Sequence, residues 1–188
     1  MKFRTIAAVL AATMTLSLSA ELKFGTVDMM LLVKNHPDYE RNKTLLESTD
    51  KDYQKKLEGV KSEGDSLQTE GKKLVEQMRS PMLTAKAKAD IEKQLAEIQQ
   101  KLMGIEQRYR SEALRLRQDL QGLEARLLKT TTDDLRTRIN KYAEANGFDL
   151  IVDQTAAAYA RKSFDVTDDL LKDMGIDPKN AKARDEGK

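Results

Sequence analysis

The chain has 188 residues, 34% of them charged and 5% aromatic, with no Trp and no Cys. That mixture excludes a large apolar core, disulfides and thiol chemistry, and with helical periodicity it points to long helices or coiled coil. The 33 Lys+Arg against 31 Asp+Glu, with one His, give a net charge of +2, which is no basic face for nucleic acid and leaves little material for the nucleophile–base pairs of an enzyme.

The N-terminus reads as a secretory signal. Lys2 and Arg4 open it, Ile6 to Leu18 is uncharged and apolar, and Leu18-Ser19-Ala20 offers small residues for cleavage near Ala20 before the first acid, Glu21. The apolar run is about 13 residues, short of the roughly 20 that span a bilayer as a helix. Loss of Lys2 and Arg4 leaves 31 basic against 31 acidic residues, so the exported chain is near neutral.

Lys23 to Met29 reads as a strand, with helical pattern from about Met30. His36-Pro37 interrupts it, because the residue before Pro is biased away from helix, and Pro37 suits the first position of a new helix. From Asp38 to Arg79 the apolar residues Tyr39, Leu46, Tyr53, Val60, Leu67 and Leu74 stand seven apart. That spacing marks a helix packed along another helix. Its companion positions Lys43, Asp50, Gly64 and Gly71 are poor, so the seam is half formed.

Ser80-Pro81-Met82-Leu83 is the turn, and Thr84 caps a second helix that runs to about Asn146-Gly147. Its stripe is Ile91, Leu95, Ile98, Leu102, Ile105 and Tyr109, then, after a stutter at Ala113, Leu116, Leu120, Leu123 and Leu127. A short turn makes the two helices antiparallel neighbours. Folding about residues 81 and 82 places Leu67 near Leu95 and Ala96, Val60 near Met103, Tyr53 near Tyr109, and Gly59 opposite Gly104. Five glycines in these helices are many for a stiff rod. Gly59 and Gly104 read either as an arm hinge or as tolerated glycines.

Past the stop at Gly147, Phe148 to Asp153 reads as a strand, Gln154 to Ala156 as a turn and Ala157 to Ala160 as a second strand. A last short helix begins at Asp165 or Thr167 and reaches Met174-Gly175. Asp165, Asp168 and Asp169 are better explained by helix capping than by a cation site. The organisation is thus signal 1–20, head 21–37, arm 38–146 (helices about 38–79 and 84–146), head again 147–175 with two strands and a short helix, and polar tail 176–188. The fold class is α+β, mostly α: a long antiparallel helical hairpin on a small β head. A sheet of about three short strands is marginal alone, so oligomerisation through the head is the simplest remedy.

Two stretches, KFGTVDMMLLVKNHPDYERNKTLLE and INKYAEANGFDLIVDQTAAAYARKSFDVTDDLLKDM, resemble the Skp, or OmpH-type, periplasmic chaperone family. The resemblance covers the chain in element order and is residue-specific at the two ends. It implies a jellyfish-like homotrimer with Val27, Leu150, Ile151, Val152 and Tyr159 in the head. It also implies a periplasmic, ATP-independent holdase, without cofactor, for unfolded outer-membrane β-barrel proteins. The other reading is an exported structural coiled coil that spans or spaces the envelope.

At the arm tip, Met78, Met82 and Leu83 either offer adaptable client contacts or close the hairpin. Residues 72 to 101 carry a net +3, with Lys72, Lys73, Arg79, Lys86 and Lys88 nearest the tip. This is either a solvated helix surface or a patch for acidic clients and weak contact with an anionic membrane surface.

Overall fold

A computed structural model describes residues 22–182, so the signal read over 1–20 and the tail from 183 lie outside the described residues. Strand β1 (Phe24–Val27) leads into helix α1 (Met29–Lys34), then α2 (Tyr39–Met78), α3 (Ala85–Asn146), strand β2 (Leu150–Asp153) and helix α4 (Thr167–Asp173).

Local chemistry sets each boundary. Asp28 ends β1 and caps α1, its Oδ1 accepting from the Leu31 N–H at 3.0 Å. Between α1 and α2 the chain breaks at Pro37, which lacks an N–H. Pro37 lies just before Asp38, which holds the N-cap position of α2, and so stands outside the helix. Thr84 Oγ1 accepts from the Ala87 N–H at 3.2 Å and opens α3. Gly147 closes α3 at φ +66°. There the Phe148 N–H donates to the Ala143 carbonyl at 2.9 Å, the bond pattern of a Schellman stop.

The two strands pair in parallel, Phe24 with Leu150 through Val27 with Asp153. Lys23 secures the junction: its N–H donates to Asp149 at 2.7 Å and its Nζ to the Asn146 carbonyl at 2.8 Å. The second strand expected at Ala157–Ala160 is not formed. Asp153 Oδ1 instead accepts from the Thr155 N–H at 3.0 Å and starts a 3-10 turn, Gln154–Ala156. The alanine run that follows lacks the β-branched residues that favour strands. On the other side of β1, Asp165 forms an isolated bridge to Thr26.

The head core is Val27, Leu32, Leu135, Val166, Leu170 and Leu171, contributed by β1, α1, α3 and the α4 region. Ile139, Tyr142, Phe148 and Ile151 pack around it. Buried bonds tie its parts: the Asp28 N–H donates to Thr167 Oγ1 and the Val166 N–H to the Thr26 carbonyl, both at 2.9 Å. Residues 176–182, expected as frayed tail, instead fold back onto this core. A second glycine stop, Gly175 at φ +78°, turns the chain, and Ile176 and Ala181 pack against the head.

Candidate functional site

The arm is the dominant surface. By helix rise α2 is about 60 Å long and α3 about 93 Å, and the two run side by side from the tip to the head. Leu46, Tyr53, Val60, Leu67 and Leu74 of α2 are each half-buried along the seam, while α3 buries Ile91, Ile98 and Leu116. The glycines that looked like gaps have partners. A Cβ built on Gly64 would stand 3.5 Å from Ile105 Cγ2, and one on Gly71 would stand 3.6 Å from Ile98 Cγ2. Isoleucines of α3 therefore face bare backbone of α2.

This seating differs from the register expected for a symmetric fold about residues 81 and 82. Leu67 borders a hollow with Lys101, Gly104 and Ile105, not Leu95 and Ala96. Tyr109 lines a groove with Lys61 and Gly64, not Tyr53. The cause is the start of α3. Its first turns hold Ala, Lys and Asp, and the buried seam begins only at Ile91. Gly59 and Gly104 are consequently not opposite each other. Each sits within an unbroken helix, with nothing near the position of an added Cβ. Across the seam, Arg108 of α3 pairs with Glu63 of α2.

Because two seam positions lack side chains, the hairpin keeps open troughs. One, of about 610 Å³, is bordered by Gly71, Val75, Leu95, Ile98 and Leu102, with Lys72 and Arg79 at its rim. A second, also about 610 Å³, is bordered by Gly64, Leu102, Ile105 and Tyr109. They share Gln68 and Leu102 and so run end to end. A smaller hollow, about 300 Å³, lies at the arm root between Val33, Tyr39, Leu46 and Leu127. Val75, Met103, Tyr109, Leu114 and Leu128 are exposed along the arm.

The tip gathers the residues singled out there. Met82 is 91% exposed, while Met78 and Leu83 are half-buried. Lys72, Lys73, Lys86 and Lys88 are exposed and make no ion pair among the described residues. Arg79 lies 3.9 Å from Glu76.

The five head residues separate. Val27 is in the core and Ile151 packs on it. Leu150 and Val152 share the other sheet face with Phe24 and Thr26, and there Leu150 is 50% and Phe24 45% exposed. Tyr159, expected in a strand, is 82% exposed beyond the 3-10 turn. Among the described residues no strand covers the outer edge of β2.

Sequence reading missed the joint between arm and head. His36 is buried, and its Nδ1 accepts from the Asp38 N–H at 3.1 Å. The ring proton therefore sits on Nε2, which donates to Asp134 Oδ2 of α3 at 3.0 Å. The same oxygen accepts from Arg138 Nε at 2.8 Å. These bonds, Arg138 first and His36 second, hold the Asp134 carboxyl below its usual pKa. Further along the same face of α3, Asp169 accepts from Lys172 at 3.0 Å and from the Tyr142 hydroxyl at 3.2 Å, and its pKa is lowered chiefly by Lys172. Burial beside Asp169 raises that of Tyr142. All these groups fasten helices to one another. In the sequence His36-Pro37 marks a helix break, and nothing there connects it to Asp134.

Among the described residues no group of His, Cys, Asp or Glu could hold a metal ion, and no helix is long and apolar enough to cross a membrane. No curated protein matches the chain. It does match the family described as Outer membrane protein (OmpH-like) over residues 23–174. That span takes in both strands, both arm helices and α4, and the chain belongs to this OmpH-like family of periplasmic chaperones for outer-membrane proteins.

Proposed function

We propose that the protein is an ATP-independent holdase of the periplasm that keeps unfolded outer-membrane β-barrel proteins from aggregating. The observation that carries this reading is the open apolar seam of the arm, with its two end-to-end troughs. An unfolded barrel protein exposes scattered apolar side chains and unpaired strand edges. A surface suited to it offers many shallow contacts with no fixed shape. The troughs do this, and Met82 and Met103, both exposed, add flexible thioether side chains that adapt to varied partners.

Self-association through the head, as a homotrimer, completes the reading. A two-stranded sheet is marginally stable alone, and here one face leaves Phe24 and Leu150 exposed beside an uncovered edge. Three copies would cover these surfaces and set three arms around a shared space. Export with cleavage near Ala20 delivers the chain to that compartment. The basic tips would add attraction to acidic clients and to anionic membrane surface.

The test is light scattering of a urea-denatured outer-membrane β-barrel protein diluted into buffer, with and without the mature protein, beside its mass in solution. Suppressed scattering with about one client per trimer is expected. Unchanged scattering from a correctly assembled trimer would sink the holdase reading and favour an envelope spacer.

A further inference from the structure

The segment after α4 continues past the family match, which stops at residue 174. The Ile176 N–H donates to the Leu171 carbonyl at 2.9 Å, Asp177 Oδ1 accepts from the Lys179 N–H at 3.0 Å, and a 3-10 turn over Pro178–Asn180 carries the chain to the root of the arm. There Asn35, the residue after α1, grips the backbone of Lys182. Its Oδ1 accepts from the Lys182 N–H at 2.8 Å, and its Nδ2 donates to the Lys182 carbonyl at 3.2 Å. The same Nδ2 donates to the Leu31 carbonyl at 2.8 Å. A side-chain amide thus pairs with a peptide group as one strand pairs with another.

The Lys182 side chain goes on to the first turn of α2. Its Nζ pairs with Glu40 and stands 5.2 Å from the centre of the Tyr39 ring. The contact lowers the Glu40 pKa, Lys182 being the leading cause.

The two arm helices are held unequally. α3 sends Leu135, Ile139 and Tyr142 into the head and runs through Gly147 directly into β2. α2 has no buried residue, and residues 35–38 join it to α1. We propose that residues 176–182 are a clasp that fixes the root of α2 to the head, and that its release frees that root and leaves α3 alone to hold the arm. The clasp would then stiffen the arm on its own head, independently of what it holds.

Hydrogen exchange on the full mature chain tests this. Lys182→Pro removes both the N–H that Asn35 accepts and the Nζ, and Ala181 at ψ 138° already has the backbone that a following proline requires. The Tyr39 and Asn42 amides, bonded to His36 and Asp38 carbonyls, should exchange about tenfold faster, a factor within reach of one lost hydrogen bond. The Val166 and Leu170 amides should stay protected. The chain has no Cys, so spin labels placed by Met82→Cys and Asp168→Cys, in chains diluted with unlabelled protein, report one arm against its own head. Their distance distribution should broaden in the variant. Unchanged exchange at 39–42 with an unchanged distribution overturns the clasp. So does equal loss of protection at Val166 and Leu170, which would make the segment a general support of the head. Asn35→Asp, which keeps the acceptor and loses both donated bonds, gives the same comparison should Lys182→Pro not fold.

Discussion

Gly64 and Gly71 give the most direct check on how the arm is seated. Alanine at either position adds one methyl group in the middle of α2, at 3.5 Å from Ile105 or 3.6 Å from Ile98. Both are ordinary contact distances, so no neighbour must move. Two gains follow. Exchange of Gly for Ala inside a helix is worth about 1 kcal/mol. Burying a methyl adds up to about 0.8 kcal/mol, and roughly half of that at a half-buried seam. Each substitution should therefore stabilise the arm by about 1.4 kcal/mol. The sites lie two turns apart, about 10 Å, far enough for the pair to add to nearly 3 kcal/mol. Gly59→Ala and Gly104→Ala, both facing open space, supply the propensity gain alone, about 2 kcal/mol together. Urea unfolding followed by helical circular dichroism measures all four. A seam pair no more stable than the open pair, or destabilised, would refute the placement of the isoleucines against bare backbone.

The head should respond far more sharply. Leu32 is fully buried in the core, and Leu32→Ala should destabilise it by about 2–5 kcal/mol, read as a lowered urea midpoint. Acid should weaken the joint between arm and head. Arg138 first and His36 second hold the Asp134 carboxyl below its usual range, so the unfolded chain takes up the proton first. Its contribution is present above the unfolded carboxylate pKa and is lost as pH falls through the folded value. Asp134→Asn should flatten the acid limb of a midpoint-against-pH curve, and an unchanged limb would show that the carboxylate is not a fastening. At the tip, Lys72→Glu with Lys73→Glu, Lys86→Glu and Lys88→Glu should weaken binding to anionic vesicles by roughly 1 kcal/mol per group at low salt. Equal binding by the variant in a sedimentation assay would leave those lysines as solvated surface.

The hairpin was legible because heptad spacing is a local property: Leu46 to Leu74 in α2 and Ile91 to Leu127 in α3 fall on one face of their helices whatever surrounds them. So were the caps at Thr84 and Gly147, which act within one turn. What depends on the partner was not legible. The register follows from where the apolar stripe of α3 begins, not from the midpoint of the turn, and a fold about residues 81 and 82 misplaced Leu67 and Tyr109. The run Ala157–Ala160 reads as a strand from its place after the turn at 154–156, yet one bond, from the Thr155 N–H to Asp153 Oδ1, redirects the chain. Residues 176–182 looked like tail because they are polar. Their order depends on Ile176, Ala181 and the grip of Asn35, a residue 147 positions from Lys182.

The glycine seam also bears on why the arm is not a tighter coiled coil. Leucine at 64 and 71 would crowd Ile105 and Ile98, which already stand within contact of an added Cβ, so larger side chains would force the helices apart. With glycine there, α2 and α3 approach closely at those levels. The space beside each glycine opens toward solvent as a trough floored by Ile98, Leu102 and Ile105. Close approach and a shallow apolar trough are two results of the same missing side chain. Helix propensity is sacrificed at each site, and the hairpin regains it through Ile98 and Ile105 packed on bare backbone. An arm stabilised by filling these positions would gain rigidity and lose the open apolar surface on which the proposed holding of an unfolded chain rests.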